Sequence, residues 1–148
     1  ALGNGLPSRD ILVSRQHRML VTSRIAKRMF GVSKVLVSAI KLTEIPGVYI
    51  DNSVETVEYI HLLFDQHEIL LAEEAPTESL FTGPEGLKAL GADARREILT
   101  IFPELGELDY QPEPVCFIPP GKRQKKLVER HLRNEKAVIC ETLSSYAL

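Results

Sequence analysis

Four histidines, His17, His61, His67 and His131, are the side chains of this sequence best suited to proton transfer near neutral pH. His17 stands in the string Leu12-Val13-Ser14-Arg15-Gln16-His17-Arg18-Met19-Leu20, three residues after the hydroxyl of Ser14. A hydroxyl and an imidazole at that spacing, set between apolar runs, can be aimed at one peptide bond. The imidazole would then give a proton to a departing amide nitrogen, with Ser14 holding the geometry. His61, Asp65, His67 and Glu68 form a second group whose types suit zinc. No third histidine or cysteine stands there at ligand spacing, so neither a metal nor another cofactor is implied. The plain reading of these histidines is a strand position with satisfied ring nitrogens. His131, flanked by Arg130 and Arg133, is expected on a solvated helix face.

Other chemistries find no support. Gly3-Asn4-Gly5 lacks the spacing and the following helix of a phosphate-binding loop. No serine-centred elbow surrounds Ser14 or His17. The basic stretch Lys122-Arg123-Gln124-Lys125-Lys126 has no interleaved aromatic residues on which bases would stack, so it reads as a charged helix face.

The elements that would position these residues change character near residue 83. From Asp10 to Phe81 short runs rich in Val, Ile and Leu, such as Ile11-Leu12-Val13, Met19-Leu20-Val21, Val35-Leu36-Val37 and Val48-Tyr49-Ile50, are broken by turn residues and predict strands. Short helices around Ser23–Phe30 or Ser38–Thr43 are also compatible. Val57 to Phe64 and His67 to Ala72 predict a hairpin around Asp65-Gln66. A two-residue loop there pairs Phe64 with His67 and His61 with Leu70, which puts His61 and His67 on opposite sides. A three-residue bulged loop reverses that parity. From Pro84 the period becomes helical: Leu87, Leu90, Ala94, Ile98 and Phe102 mark one stripe, firmest over Ala92 to Phe102, and Pro103 ends it. A linker with Pro112, Pro114, Pro119 and Pro120 leads to a helix over Lys122 to Asn134 with the stripe Leu127, Val128 and Leu132. Ala137 to Leu148 reads as a closing strand or a disordered end.

The 148 residues suffice for about one domain with a sizeable core. Eighteen basic and 20 acidic residues leave a formal charge of −2, so no global field recruits nucleic acid or anionic lipid. No apolar run approaches a membrane span. Cys116 and Cys140 form neither a disulfide framework nor the paired clusters of a structural zinc site, and their distance decides whether they join.

The block Ser14-Arg15-Gln16-His17-Arg18-Met19-Leu20-Val21 resembles the Thr/Ser-x-x-His motif of Hint domains, the Hedgehog/intein self-processing fold. The longer string from Gly3 to Val21, followed by Val57 to Leu80, is similar to the bacterial Hint domains of large secreted proteins. The likeness covers about residues 1 to 81. It implies a mainly β fold, a partial Hint/intein-like region over residues 1–82, followed by a C-terminal α-helical extension over 83–148 with its Pro-rich linker at 103–121.

The resemblance also implies autoprocessing. In this family an opening cysteine attacks the preceding carbonyl and converts a peptide bond to a thioester. By carry-over His17 protonates or polarises the scissile amide and Ser14 takes the hydroxyl position of the motif. His61 falls in the strand that often contributes a helper residue, and His67 opens the next one. The initiating cysteine would precede Ala1, and neither Cys116 nor Cys140 takes its position. The His-Asn ending of inteins stands here as Glu78-Ser79, so splicing is not expected. The chain is therefore expected to be a truncated or processed, inactive part of a domain whose substrate is its own upstream segment. A half-built sheet would expose edges, which a second copy or a bound N-terminal fragment would cover. The alternative is a non-enzymatic binding or assembly module on the same scaffold.

Overall fold

The computed structural model describes residues 1–107 and 109–140, with the backbone only of Glu85; residues 141–148, the end of the expected closing strand or tail, lie outside them. Strand β1 (Arg18–Thr22) and strand β2 (Lys34–Ser38) form where the apolar runs around Leu20 and Leu36 predict them. They pair antiparallel from Arg18 opposite Ser38 to Thr22 opposite Lys34. Between them lies helix α1 (Arg24–Phe30), whose start is fixed by the Ser23 hydroxyl accepting from the Ala26 amide. Gly31, left-handed at φ 81°, closes it by donating its amide to Lys27. Helix α2 (Ala39–Leu42) follows β2 directly.

The remaining strands depart from the expected hairpin. Strand β3 (Ile69–Ala72) pairs with β4 (Ala75–Glu78) through a two-residue turn at Glu73-Glu74, not across Asp65-Gln66 with Val57–Phe64. Both turn glutamates are left-handed, at φ 47° and 64°, the geometry that matches a hairpin's twist. Glu73 is held there from outside: Arg9 grips its carboxylate with two contacts of 2.6 and 2.8 Å, and the Ser8 amide donates to its carbonyl at 2.9 Å. With β4 occupying the inner edge of β3, Leu70 faces Thr77 rather than His61. Val57–Phe64 stays outside the sheet and is mostly exposed. Its tie to the sheet end is the Leu62 carbonyl, which accepts from Leu80 at 2.8 Å. The runs at Ile11–Val13 and Val48–Ile50 are likewise not strands.

The sheet order is β2-β1-β4-β3, so β3 is an edge. Among the described residues helix (31%) exceeds strand (16%), and the expectation of a mainly β chain gives way to a four-stranded antiparallel sheet with helices. Past residue 83 come α3 (Pro84–Ala89), α4 (Ala92–Ile101), a 3-10 turn (Pro103–Gly106) and α5 (Gly121–Arg133).

Strand alternation gives the sheet two unlike faces. Met19, Val21, Val35, Val37 and Ala75 share one face and pack with Ala26, Leu42, Leu127 and Val128 of the helices. Leu20 and Leu36 are buried on the other. The strap around residues 115–117 runs from this side to the sheet edge: the Val115 amide bonds to the buried His67, and two residues on Phe117 lies beside β2 in a parallel bridge with Val35, its carbonyl accepting from Leu36 at 2.9 Å. The N-terminal residues also meet the segment 138–140. The Leu2 carbonyl accepts from Val138 and Ile139, and the Thr22 carbonyl accepts from Cys140 at 3.0 Å. Gly3, at φ 117°, lies so close to this segment that a Cβ there would stand 2.5 Å from the Ala137 Cβ.

The buried stripe of α5 is Gln124, Leu127, Val128 and His131, while Leu132 is exposed. His131 is thus a core residue rather than a solvated one, 1% exposed. Its Nδ1 meets the Lys136 carbonyl at 3.1 Å, which makes that nitrogen the donor. Nε2 is then left to accept from the Ser23 hydroxyl at 2.9 Å, so one imidazole joins the end of α5 to the start of α1. Burial pushes its pKa below the ordinary 6.5, against the carbonyl contacts with Lys136 and Ala137.

Two outcomes follow for urea unfolding. Leu127→Ala, which empties a fully buried site, lowers stability by about 2–5 kcal/mol, whereas Leu132→Ala changes it by roughly 0.5 kcal/mol or less. Because native His131 resists a proton that the unfolded chain accepts, stability falls as pH drops below 6.5, and His131→Gln flattens that slope.

Candidate active site

The turn Ser14–His17 delivers His17 to the start of β1. The His17 amide donates both to the Ser14 carbonyl, at 3.1 Å, and to the Ser14 hydroxyl, at 3.2 Å. The His17 carbonyl in turn accepts from Ala39 at 2.8 Å, which extends the β1–β2 register by one residue. Alternation then points the His17 ring to the same face as Met19, which lies opposite Thr77. There Nε2 of His17 hydrogen-bonds the hydroxyl of Thr77, which also donates to the Arg18 carbonyl at 3.0 Å. Among the described residues no hydrogen bond reaches Nδ1.

The neighbours of these two residues point the other way. Glu78 Oε1 accepts from the Arg18 amide at 2.9 Å, and Oε2 pairs with the Arg18 guanidinium at 3.0 Å and with His67 Nε2 at 3.2 Å. The His67 Nδ1 accepts from the Val115 amide at 3.1 Å and so carries no proton; the ring hydrogen sits on Nε2 and is donated to Glu78. Phe81 closes this cluster, with its ring 4.8 Å from His67 and 5.8 Å from the Arg18 guanidinium.

The electrostatics separate the two sets. Burial pushes the Glu78 carboxyl up, but the His67 hydrogen bond and the Arg18 charge and hydrogen bonds outweigh it and hold the group below its ordinary 4.5. Burial also governs His17, and with the charges of His61 and Arg18 it overcomes the pull of Glu78 and sets the imidazole below 6.5. His17 is therefore neutral at neutral pH, one ring nitrogen occupied and the other open: the state of a proton acceptor that can return what it takes.

Ser14 and His17 thus come together, through the backbone amide rather than ring to hydroxyl. His61 is exposed but close enough for its charge to act on His17. His67 is buried on the opposite face, and Asp65 is exposed at the rim of a cleft of about 470 Å³ with Phe64, Glu104 and Tyr110. Thr77, Glu78, Arg18 and Phe81 carry no motif of their own as site residues. Their signal is register: once β4 is seen to pair with β1, Thr77 falls beside His17. Cys140 hangs from Thr22, at the far end of β1 and about 16 Å of strand from His17. Cys116 rides on the strap between the His67 contact and the β2 edge, where burial raises its thiol pKa. Both are free thiols. Among the described residues no three His, Cys, Asp or Glu side chains converge to hold a metal ion, and no helix is long and apolar enough to cross a membrane.

The profile of the Hint domain family matches residues 1–84, which hold β1 to β4, the Ser14–His17 turn and both histidine clusters. The chain belongs to the Hint domain family. Comparison with curated proteins and with solved structures gives no match. The Hint match includes the residues on both faces of the sheet, but it stops before α5 and the strap that complete them.

Glu78→Gln leaves the Arg18 guanidinium and the sheet end without their charge partner, and urea unfolding is expected to show a loss on the order of 3 kcal/mol. Because its folded pKa is depressed, the stability that Glu78 supplies is complete above 4.5 and is lost as pH falls below it. The acid limb of the wild-type stability curve should therefore weaken in Glu78→Gln.

Proposed function

We propose that this Hint unit serves protein self-processing through a thioester, with His17 as the proton-transfer residue. The observation that carries the reading is the His17 imidazole itself, fixed by a turn and by Thr77, kept neutral by burial and open at Nδ1. Cleavage of a peptide bond by a thiol needs such a group: the sulfur bonds the carbonyl carbon, the carbon–nitrogen bond breaks, and the leaving nitrogen must receive a proton.

The nucleophile in this reading is a cysteine ahead of Ala1, and the substrate is the chain's own upstream segment. Neither Cys140, at the far end of β1, nor Cys116, on the strap between His67 and the β2 edge, suits the role. In this reading the step needs that cysteine, and Glu78 is engaged by Arg18 and His67 rather than in any splicing step.

A second reading, a non-enzymatic binding module, is favoured by exposed apolar side chains on the runs outside the sheet, with Tyr49 72% and Ile60 82% exposed. The two readings part in one experiment. The protein extended upstream to its first cysteine is treated with thiol and followed by gel and intact mass. Self-processing gives thiol-induced cleavage ahead of that cysteine, slowed by about 100-fold or more in His17→Ala. A folded protein that stays intact with and without thiol leaves the binding module.

A further inference from the structure

We propose that Thr77 is the positioning residue of His17: its hydroxyl holds the imidazole as the Nε2–H tautomer and so assigns proton exchange with the reacting bond to Nδ1. The inference deepens the self-processing reading and rests on it for its functional part.

The assignment follows from counting hydrogens. Thr77 Oγ1 has one, and it is given to the Arg18 carbonyl at 3.0 Å. Toward His17 the same oxygen can act only as an acceptor, so Nε2 must bring the proton. Both anchors are fixed. The Arg18 carbonyl belongs to β1, and Thr77 sits opposite Met19 in the β1–β4 pairing, 5% exposed, where no bulk water competes for its hydroxyl. Ser14 holds the other end of the residue by capping the His17 amide. The neutral ring is left with its lone pair on Nδ1, which no described residue engages. The charged and titratable groups acting on this ring are Glu78, His61 and Arg18; Glu78 favours its protonation and the other two oppose it.

A fixed tautomer matters because one nitrogen must act twice. The thiol proton moves to Nδ1 as sulfur bonds the carbonyl carbon. The carbon–nitrogen bond then breaks and Nδ1 passes that proton to the departing nitrogen. The ring ends as it began, with Nε2–H still on Thr77, and the net transfer is one proton from thiol to amine. A ring free to adopt the Nδ1–H form would meet the thiol with no base on that side.

The test uses the 148-residue chain labelled with ¹⁵N-histidine and long-range proton–nitrogen correlation above the pH range in which imidazoles titrate. The His17 signals are identified by their loss in His17→Gln. The wild type and Thr77→Ser are expected to show a protonated Nε2 and a bare Nδ1, whereas Thr77→Val, equal in shape but without the hydroxyl, shifts toward Nδ1–H or an average of the two. A wild-type ring protonated at Nδ1 overturns the proposal, and so does a Thr77→Val pattern identical to wild type. Should Thr77→Val not fold, the wild-type and Thr77→Ser patterns decide alone. In the upstream-extended protein, Thr77→Val slows thiol-induced cleavage by about 10- to 100-fold and Thr77→Ser restores it. Equal cleavage rates in wild type and a folded Thr77→Val remove the functional role. An extended wild type that never cleaves defeats the self-processing reading, while the ¹⁵N patterns still decide whether Thr77 sets the tautomer.

Discussion

The period of two along a β-strand is the constraint on which this chain's chemistry depends. His17 and Arg18 stand side by side at the entry to β1, and β4 ends with Thr77 and Glu78 side by side. Pairing the two strands sorts these four residues without further instruction. His17 and Thr77 meet on the face that carries the helices, and Arg18 and Glu78 meet on the other. An ion-pair cluster that stabilises the sheet end and a histidine free for chemistry can thus stand one residue apart. A slip of one residue in the β1–β4 pairing would exchange them.

The two faces are finished by sequence beyond the matched family region. On one, α5 supplies Leu127, Val128 and the His131 link to Ser23. On the other, the strap gives its Val115 amide to His67, and at the outer edge of β2 its Phe117 carbonyl accepts from Leu36. His67 is the joint in this arrangement: one ring nitrogen serves the Glu78 carboxylate and the other the strap. The extension is therefore packed into the same core as the Hint residues, and the orientation of Glu78 depends on a segment more than 30 residues away in sequence.

Hydrophobic runs located β1 and β2, the helical period located α4 and α5, and the Ser14–His17 spacing located the turn that fixes His17. What stayed hidden was long-range or unusual in its local chemistry. Glu73-Glu74 lacks the Gly or Asn of a left-handed turn, and its conformation depends on Arg9, 64 residues earlier, so Asp65-Gln66 was the more plausible turn. That misplacement took Val57–Phe64 for a strand and concealed Thr77, whose role exists only once β4 lies beside β1. His131 was misplaced because its flanking arginines suggest a solvated face. Its burial becomes intelligible only with Ser23, 108 residues away, as a partner.

The hairpin that hides Thr77 also leaves β3 as an open border of the sheet. An unpaired strand edge invites edge-to-edge growth, and Leu71 on this one is 52% exposed. The border is only four residues long, from Ile69 to Ala72, and two carboxylates at Glu73 and Glu74 terminate it. Arg9 is already paired to Glu73 at that corner, so a copy approaching this end of β3 meets an occupied turn rather than a bare strand. The turn that is hardest to read in the sequence is thus also what ends the sheet's short open border.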